Sequence, residues 1–289
     1  MLPLPPHVID AARPRLLLAR QVGAHVGQLV CGILASGELG TIIKTDGSPV
    51  TRADKLAERV VREAIARDFP QDAILGEEEG LTAGTSGFRW VIDPIDGTKS
   101  YIAGIPTFGN LLGVQWMGDG QTSPARDGLT PPIVAGYAGF PLLREELWAL
   151  AAEPAWWRSE TMGGTVLRQA RMSARSDLSA AVLDTGSPQT FARGDRTAVY
   201  ERLARSTQRC RSWNDAYSFA LAATGRIDAA VGFKASLWDL APFAVICAQA
   251  GGAMTNWAGE GKLESGTYLA CGEGLRAEVC AVLTEQARP

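Results

Sequence analysis

The chain has 289 residues, 46% hydrophobic and 20% charged, with a formal net charge of −3. This is the balance of a globular protein able to bury a large core, and it carries no basic excess that would call for a nucleic-acid polymer as partner. Five cysteines are scattered without a C-x-x-C pair and the two histidines, His7 and His25, both lie near the N-terminus, which sets aside a disulfide frame, a cysteine zinc site and a histidine-based triad.

Any hydrolytic chemistry must therefore run on carboxylates, hydroxyls and metal ions. The proline-rich residues 1–6 give way directly to a helical pattern, with neither a basic leader nor an unbroken apolar segment. No membrane association is expected, and the expected location is the cytoplasm.

In chain order, Leu16, Leu17, Val22, Val26, Leu29, Val30 and Ile33 recur at helical spacing and predict a helix over residues 7–36, with an early break at Pro14. His25 sits on it as an ordinary helical residue. Residues 37–51 predict a short strand, a turn at Asp46-Gly47 and entry into a helix that runs to about Asp68. Asp54 falls in the first turn of that helix, where a carboxylate complements the dipole. Ile74-Leu75-Gly76 is an apolar stub that runs straight into Glu77-Glu78-Glu79. Most acidic runs are solvated surface, but this one follows a strand end.

The stretch Trp90-Val91-Ile92-Asp93-Pro94-Ile95-Asp96-Gly97-Thr98-Lys99 organises the rest. A strand over residues 88–92 ends in two carboxylates, with Pro94 between them and a Gly-Thr turn after them. A carboxylate in an apolar setting must take up a proton, find a partner or bind a metal. Taken alone, the stretch is equally a strand followed by an Asx turn. Carboxylates at several strand ends can converge, as Mg²⁺ or Ca²⁺ sites require, and paired ions suit phosphoryl transfer.

Residues 106–116 predict a strand, residues 117–132 a long loop, residues 133–140 and 146–151 two more strands, and residues 154–164 an irregular stretch holding Trp156 and Trp157. The border between two halves of one continuous unit is expected at 140–165, dividing the chain into 1–145 and 146–289. The second half alternates strand and helix: strands at 182–185, 208–212, 227–233, 254–256 and 268–271, helices at 197–207, 213–224, 240–250 and 277–286. Asp239 precedes a very apolar helix, where an N-cap is a sufficient explanation.

Three elements carry a resemblance. Gly76-Glu77-Glu78, the Trp90 to Thr98 stretch, and Trp238-Asp239 with Ala250-Gly251-Gly252 resemble, in order and spacing, the signatures of the inositol monophosphatase superfamily. Its members are Mg²⁺-dependent, Li⁺-sensitive phosphomonoesterases. Within it, residues 96–109, 211–217 and 236–241 are similar to the histidinol-phosphate phosphatase branch. The resemblance implies an α/β fold, a layered α-β-α-β-α sandwich, and a homodimer. It implies that Glu77, Asp93, Asp96 and the backbone carbonyl of Ile95 bind Mg²⁺, with Asp239 completing a second site and two or three ions in all. Thr98, paired with Asp54, would orient and activate the attacking water. The N–H groups of Gly97 and Thr98 would hold phosphate oxygens, Lys44 would lie near the metals, and Asn214, Asp215 and Ala216 would face the alcohol.

The implied substrate is a small phosphorylated alcohol, histidinol phosphate first. Inositol phosphates, fructose 1,6-bisphosphate and adenosine 3′,5′-bisphosphate are the alternatives, and a non-catalytic metal-binding protein on the same fold is the competing class. The sequence departs from the pattern in two places. Gly232 stands where inositol monophosphatases carry a substrate-contacting glutamate, and Gly232-Phe233-Lys234-Ala235 brings a positive charge instead of a carboxylate. Ala138-Gly139-Phe140-Pro141 replaces the Asp-Gln-Pro of the histidinol branch. Lys234 suits a more anionic substrate, or is a solvated surface lysine.

Overall fold

The computed structural model describes residues 4–45, 47–118, 129–160, 164–213 and 215–284. Asp46, Asn214 and most of the expected 117–132 loop lie outside the described residues.

Five layers alternate as α-β-α-β-α. Helices α1 (Pro6–Ser36) and α2 (Arg52–Asp68) cover one face of an eight-stranded sheet. Its order is β10 (Val166–Gln169), β9 (Trp156–Ser159), β8 (Glu145–Leu150), β7 (Ile133–Phe140), β6 (Gly109–Trp116), β5 (Phe88–Asp96), β3 (Ala73–Gly76) and β4 (Gly80–Thr82), antiparallel except between β3 and β5. Helices α6 (Tyr217–Ala223) and α7 (Leu237–Gln249) fill the space between this sheet and a second one. The second sheet runs β12 (Arg209–Arg211), β11 (Val182–Asp184), β13 (Ala229–Phe233), β15 (Thr267–Gly272), β14 (Gly252–Thr255), with β12, β11 and β13 parallel. Helices α4 (Pro188–Arg193), α5 (Thr197–Ser206) and α8 (Glu273–Thr284) form the outer layer. A small hairpin, β1 (Ile42–Ile43) with β2 (Pro49–Val50), precedes α2.

Packing decides several points that local pattern does not. α1 passes through Pro14 without ending. The lost hydrogen bond and ring clash cost about 3 kcal/mol or more, which is offset because Val8 and Ala12 before it and Leu16, Ala19, Val22 and Val26 after it are all buried on one stripe. By length and composition α1 could cross a membrane, but here that stripe lies against β6, β7 and β8. Every residue of β7 is buried because α1 covers one face and α7 the other. Gly136 permits this: a Cβ there would overlap the Pro242 carbonyl of α7.

The irregular stretch expected around Trp156 and Trp157 is strand β9, paired with β8 and β10, so the first sheet extends to Gln169. The acidic run turns directly into β4, and α4 is an additional helix. α6 begins at Tyr217 rather than Trp213, because Asp215 is left-handed (φ 53°) and the N–H groups of Trp213 and Ala216 bond Asp184 and Asp96.

Candidate active site

The site forms where β5, α2, α3 (Thr98–Ile102) and α7 meet. β5 continues to Asp96, beyond the end expected near Ile92. In an unbroken strand, side chains three residues apart point to opposite faces. Here Asp93 opposes Leu111 and Asp96 opposes Gly109, so one extra residue is inserted in β5. This bulge brings both carboxylates to one side, and Pro94 sits in it, where a missing N–H costs no ladder bond. Asp93 Oδ1 accepts the Ile95 N–H at 3.1 Å, and Asp96 Oδ2 accepts the Ala216 N–H at 2.6 Å.

The third carboxylate comes from α7. Ser236, not Asp239, is the N-cap, and Asp239 occupies the third helical position, with Oδ2 accepting the Ser236 N–H at 2.7 Å. Asp93, Asp96 and Asp239 present oxygens that all lie within 4.8 Å of one another. Burial drives the Asp93 and Asp96 pKa values well above the ordinary range; Glu77, Asp96 and Asp239 push Asp93 further, and Asp215 and Asp239 push Asp96. Asp239 is raised to about 6 by burial, against the Ser236 N–H. Such a basin favours protons or a cation. Its donors are all oxygens, the set that suits Mg²⁺ or Ca²⁺ over softer metals, so these residues fit the divalent ion expected from the sequence.

Glu77 follows β3, with its N–H bonded to the Ile92 carbonyl at 3.2 Å. Lys44, next to β1, donates to Glu77 Oε1 at 3.0 Å and to Glu78 Oε1 at 2.7 Å. Burial raises both glutamates and Lys44 opposes it; burial also opposes the Lys44 charge, but the two hydrogen bonds outweigh it and hold the ammonium above its usual range.

Beside the cluster, Thr98 Oγ1 donates to Asp54 Oδ1 at 3.2 Å and lies 3.3 Å from the Ile95 carbonyl. Asp54 is itself fixed by a capping box, in which Oδ2 accepts the Thr51 N–H at 2.7 Å and the Thr51 hydroxyl at 2.5 Å. Burial raises its pKa, while the Thr51 and Thr98 hydrogen bonds lower it. Gly97 caps α3 with φ 77°, and a Cβ there would lie 2.7 Å from Asp215 Oδ2. Asp215 Oδ2 also accepts the Ser100 hydroxyl at 2.8 Å, and burial raises the Asp215 pKa. Ala216 is buried and aims its N–H at Asp96. Thus Lys44, Asp54, Glu77, Asp93, Ile95, Asp96, Gly97, Thr98, Asp215, Ala216 and Asp239 converge; Asn214 lies outside the described residues.

Two supporting groups went unnoticed in the sequence. Glu58 of α2 is fully buried and accepts the N–H groups of Glu78 at 2.8 Å and Glu79 at 3.0 Å, with Arg62 Nε at 2.8 Å. It thereby sets the turn that carries Glu77, and its only sequence signal is an i,i+4 Glu-Arg pair. Asp184, at the end of β11, accepts the Gly186 N–H at 2.9 Å and the Trp213 N–H at 2.6 Å, shaping the approach to Asp215.

Comparison with known proteins spans the stretch that carries these residues. The profile of the inositol monophosphatase family matches residues 13–287. The histidinol-phosphatase of Streptomyces coelicolor is 32% identical over 243 residues, 84% of this chain and 86% of that protein. The histidinol-phosphatase of Mycobacterium tuberculosis is 30% identical over 264 residues, 91% of this chain and 95% of that one. Other relatives are named inositol-1-monophosphatase, from Rhizobium meliloti, and Nus factor SuhB, from Pseudomonas aeruginosa. The crystal structure of the extragenic suppressor protein suhB from Bartonella henselae has the same fold, with a TM-score of 0.81 over 94% of this chain and 99% of that one at 23% identity. With its acidic basin and a match over nearly its whole length, the chain belongs to the inositol monophosphatase family and is a phosphoric monoester hydrolase.

Proposed function

We propose that this protein is a Mg²⁺-dependent phosphatase whose preferred substrate is histidinol phosphate. The observation that carries the chemistry is the convergence of Asp93, Asp96 and Asp239 beside the Thr98–Asp54 pair. The choice of substrate is supported by the two histidinol-phosphatases that match most of this chain's length. The Asp215 carboxylate, held by the Ser100 hydroxyl beside Gly97, supports it too, as a partner for a substrate ammonium.

Glu77, Asp93, Asp96, Asp239 and the Ile95 carbonyl would hold two or three ions. Bound divalent cations supply positive charge against the phosphoryl and leaving oxygens. The protein supplies position. Asp54 Oδ1 takes the Thr98 hydroxyl proton in a hydrogen bond, which leaves the Thr98 Oγ1 lone pairs to accept from the attacking water. The Thr51 capping box keeps Asp54 from turning away. Gly97 and Thr98, at the start of α3, offer N–H groups to phosphate oxygens. Asp215 and Ala216 border the leaving alcohol. The products are histidinol and inorganic phosphate, with no phosphoenzyme. Cytoplasmic location, a homodimer and inhibition by Li⁺ complete the reading.

Phosphate release from histidinol phosphate, inositol phosphates, fructose 1,6-bisphosphate and adenosine 3′,5′-bisphosphate tests it. The expected result is Mg²⁺-dependent turnover with histidinol phosphate fastest. Lys234 lies 5.8 Å from the Phe233 ring centre, which places it beside the second core. A bisphosphate turned over fastest would overturn the substrate, and no release from any ester would favour a non-catalytic metal-binding protein.

A further inference from the structure

Tyr268 has no part in the reaction described above, yet its phenol is within electrostatic reach of Asp184, Asp239, Asp96 and Asp215. It lies on β15 directly opposite Gly232 of β13. A Cβ at Gly232 would overlap the Tyr268 hydroxyl oxygen and Cζ. Glycine at 232 therefore leaves the space into which the phenol lies, across β13 and towards β11. β11 and β13 are parallel, and their C-terminal ends carry Asp184 and the linker to Asp239. That is the edge of an α/β sheet where small ligands bind.

The ring is fixed. Phe219 of α6 packs edge-on against it, with centroids 5.0 Å apart. The hydroxyl is not: among the described residues it makes no hydrogen bond. Asp184 already receives the N–H groups of Gly186 and Trp213, Asp215 receives Ser100, and Asp239 receives Ser236. Burial, with Asp184, Asp239, Asp96 and Asp215, pushes the phenol pKa upward, so the group stays neutral and keeps its proton to donate. A neutral donor and acceptor on a fixed, half-buried ring, near four carboxylates and without a hydrogen bond among the described residues, is suited to a ligand that brings its own hydrogen-bonding atom.

Resting on the phosphatase reading, we propose that the Tyr268 hydroxyl is a specificity-determining group that hydrogen-bonds the leaving alcohol of the substrate. The class it selects is an alkyl phosphate monoester with a nitrogen or hydroxyl a few bonds beyond the ester oxygen. A bare alkyl phosphate has nothing to offer it. Gly232 is the structural condition for this contact, since any side chain there displaces the phenol.

Steady-state kinetics of the wild type and Tyr268→Phe with two esters, histidinol phosphate and propyl phosphate, test the proposal. The variant keeps the ring and its packing on Phe219 and loses one oxygen. Expected is about a tenfold loss of kcat/KM for histidinol phosphate, mostly in KM, with propyl phosphate within about twofold of wild type. An equal fall for both esters would assign Tyr268 to the acid cluster or the fold, and no fall for either would remove it from recognition; both results overturn the proposal. If the wild type prefers an inositol phosphate, the substrate reading fails separately, and inositol 1-phosphate set against propyl phosphate tests Tyr268 by the same ratio. If the wild type releases phosphate from no ester, both readings fall together.

Discussion

The two sides of the site are built differently. On the side of the first sheet, polar groups are tied down by the backbone: Asp54 by Thr51, Asp93 by Ile95, Asp96 by Ala216, and the Glu78 and Glu79 amides by Glu58. On the side of the second sheet, the Tyr268 ring is held by Phe219, but its hydroxyl makes no hydrogen bond among the described residues. The contrast assigns the chemistry to the over-determined side and selection of the alcohol to the under-satisfied one. A group that must reproduce one geometry for every substrate is locked, whereas a group that must notice a substrate is left a bond to make.

The sharpest way to break this contrast is Asp93→Asn. Turnover should fall at least about a hundredfold. Thermal stability in chelator at neutral pH should rise, because one of the mutually repelling buried carboxylates is gone. Unchanged turnover would remove the metal assignment. Next is Thr98→Ala, which deletes the hydroxyl bonded to Asp54 that the proposed mechanism sets against the attacking water. About a hundredfold loss in kcat with KM nearly unchanged is expected; a loss confined to KM would make Thr98 a binding group instead.

Glu58→Ala tests the locked side through stability. It strips Arg62 of its buried partner and leaves the Glu78 and Glu79 amides without their acceptor. Breaking such a pair costs about 3–5 kcal/mol, readable as a lower urea midpoint. A change below about 1 kcal/mol would show that the turn holds itself.

The smallest expected effect is a shift with metal and pH. Asp239 has a raised pKa of about 6, against 3.8 for an ordinary aspartate. Without metal, the folded protein binds a proton here that the unfolded chain has released, so this contribution is present at low pH and is lost as pH rises across that window. Added Mg²⁺ should raise the thermal midpoint by about 5 °C at pH 7.5 and by much less at pH 5. Equal shifts at both pH values would place the ion elsewhere.

The contrast also explains how much was legible beforehand. Asp93, Asp96, Gly97 and Thr98 stand within six residues, so their cluster is written locally, and Asp54 was placed in the first turn of its helix, where the structure adds a capping box with Thr51. The bulge at Pro94–Ile95 was not legible, because it is defined by pairing with β6 and not by β5 itself. Glu58 looked like any acid on an amphipathic helix until the turn at Glu77 docked on it. Asp239 suggested an N-cap, but Ser236 takes that role and frees one Asp239 oxygen to face the cluster. Short strands β9 and β10 were hidden because edge pairing forms them, and β10 is exposed along its whole length. Tyr268 gave no signal, since its placement depends on a glycine thirty-six residues earlier in the neighbouring strand.

The central claim is that the Asp93, Asp96 and Asp239 basin is a divalent-cation centre that drives phosphate ester hydrolysis. Its most direct test is phosphate release from histidinol phosphate by chelator-stripped protein as Mg²⁺ is added back. The account predicts no turnover in chelator and saturable recovery with Mg²⁺, absent in Asp93→Asn. Full turnover in chelator, or recovery undiminished by Asp93→Asn, would contradict it.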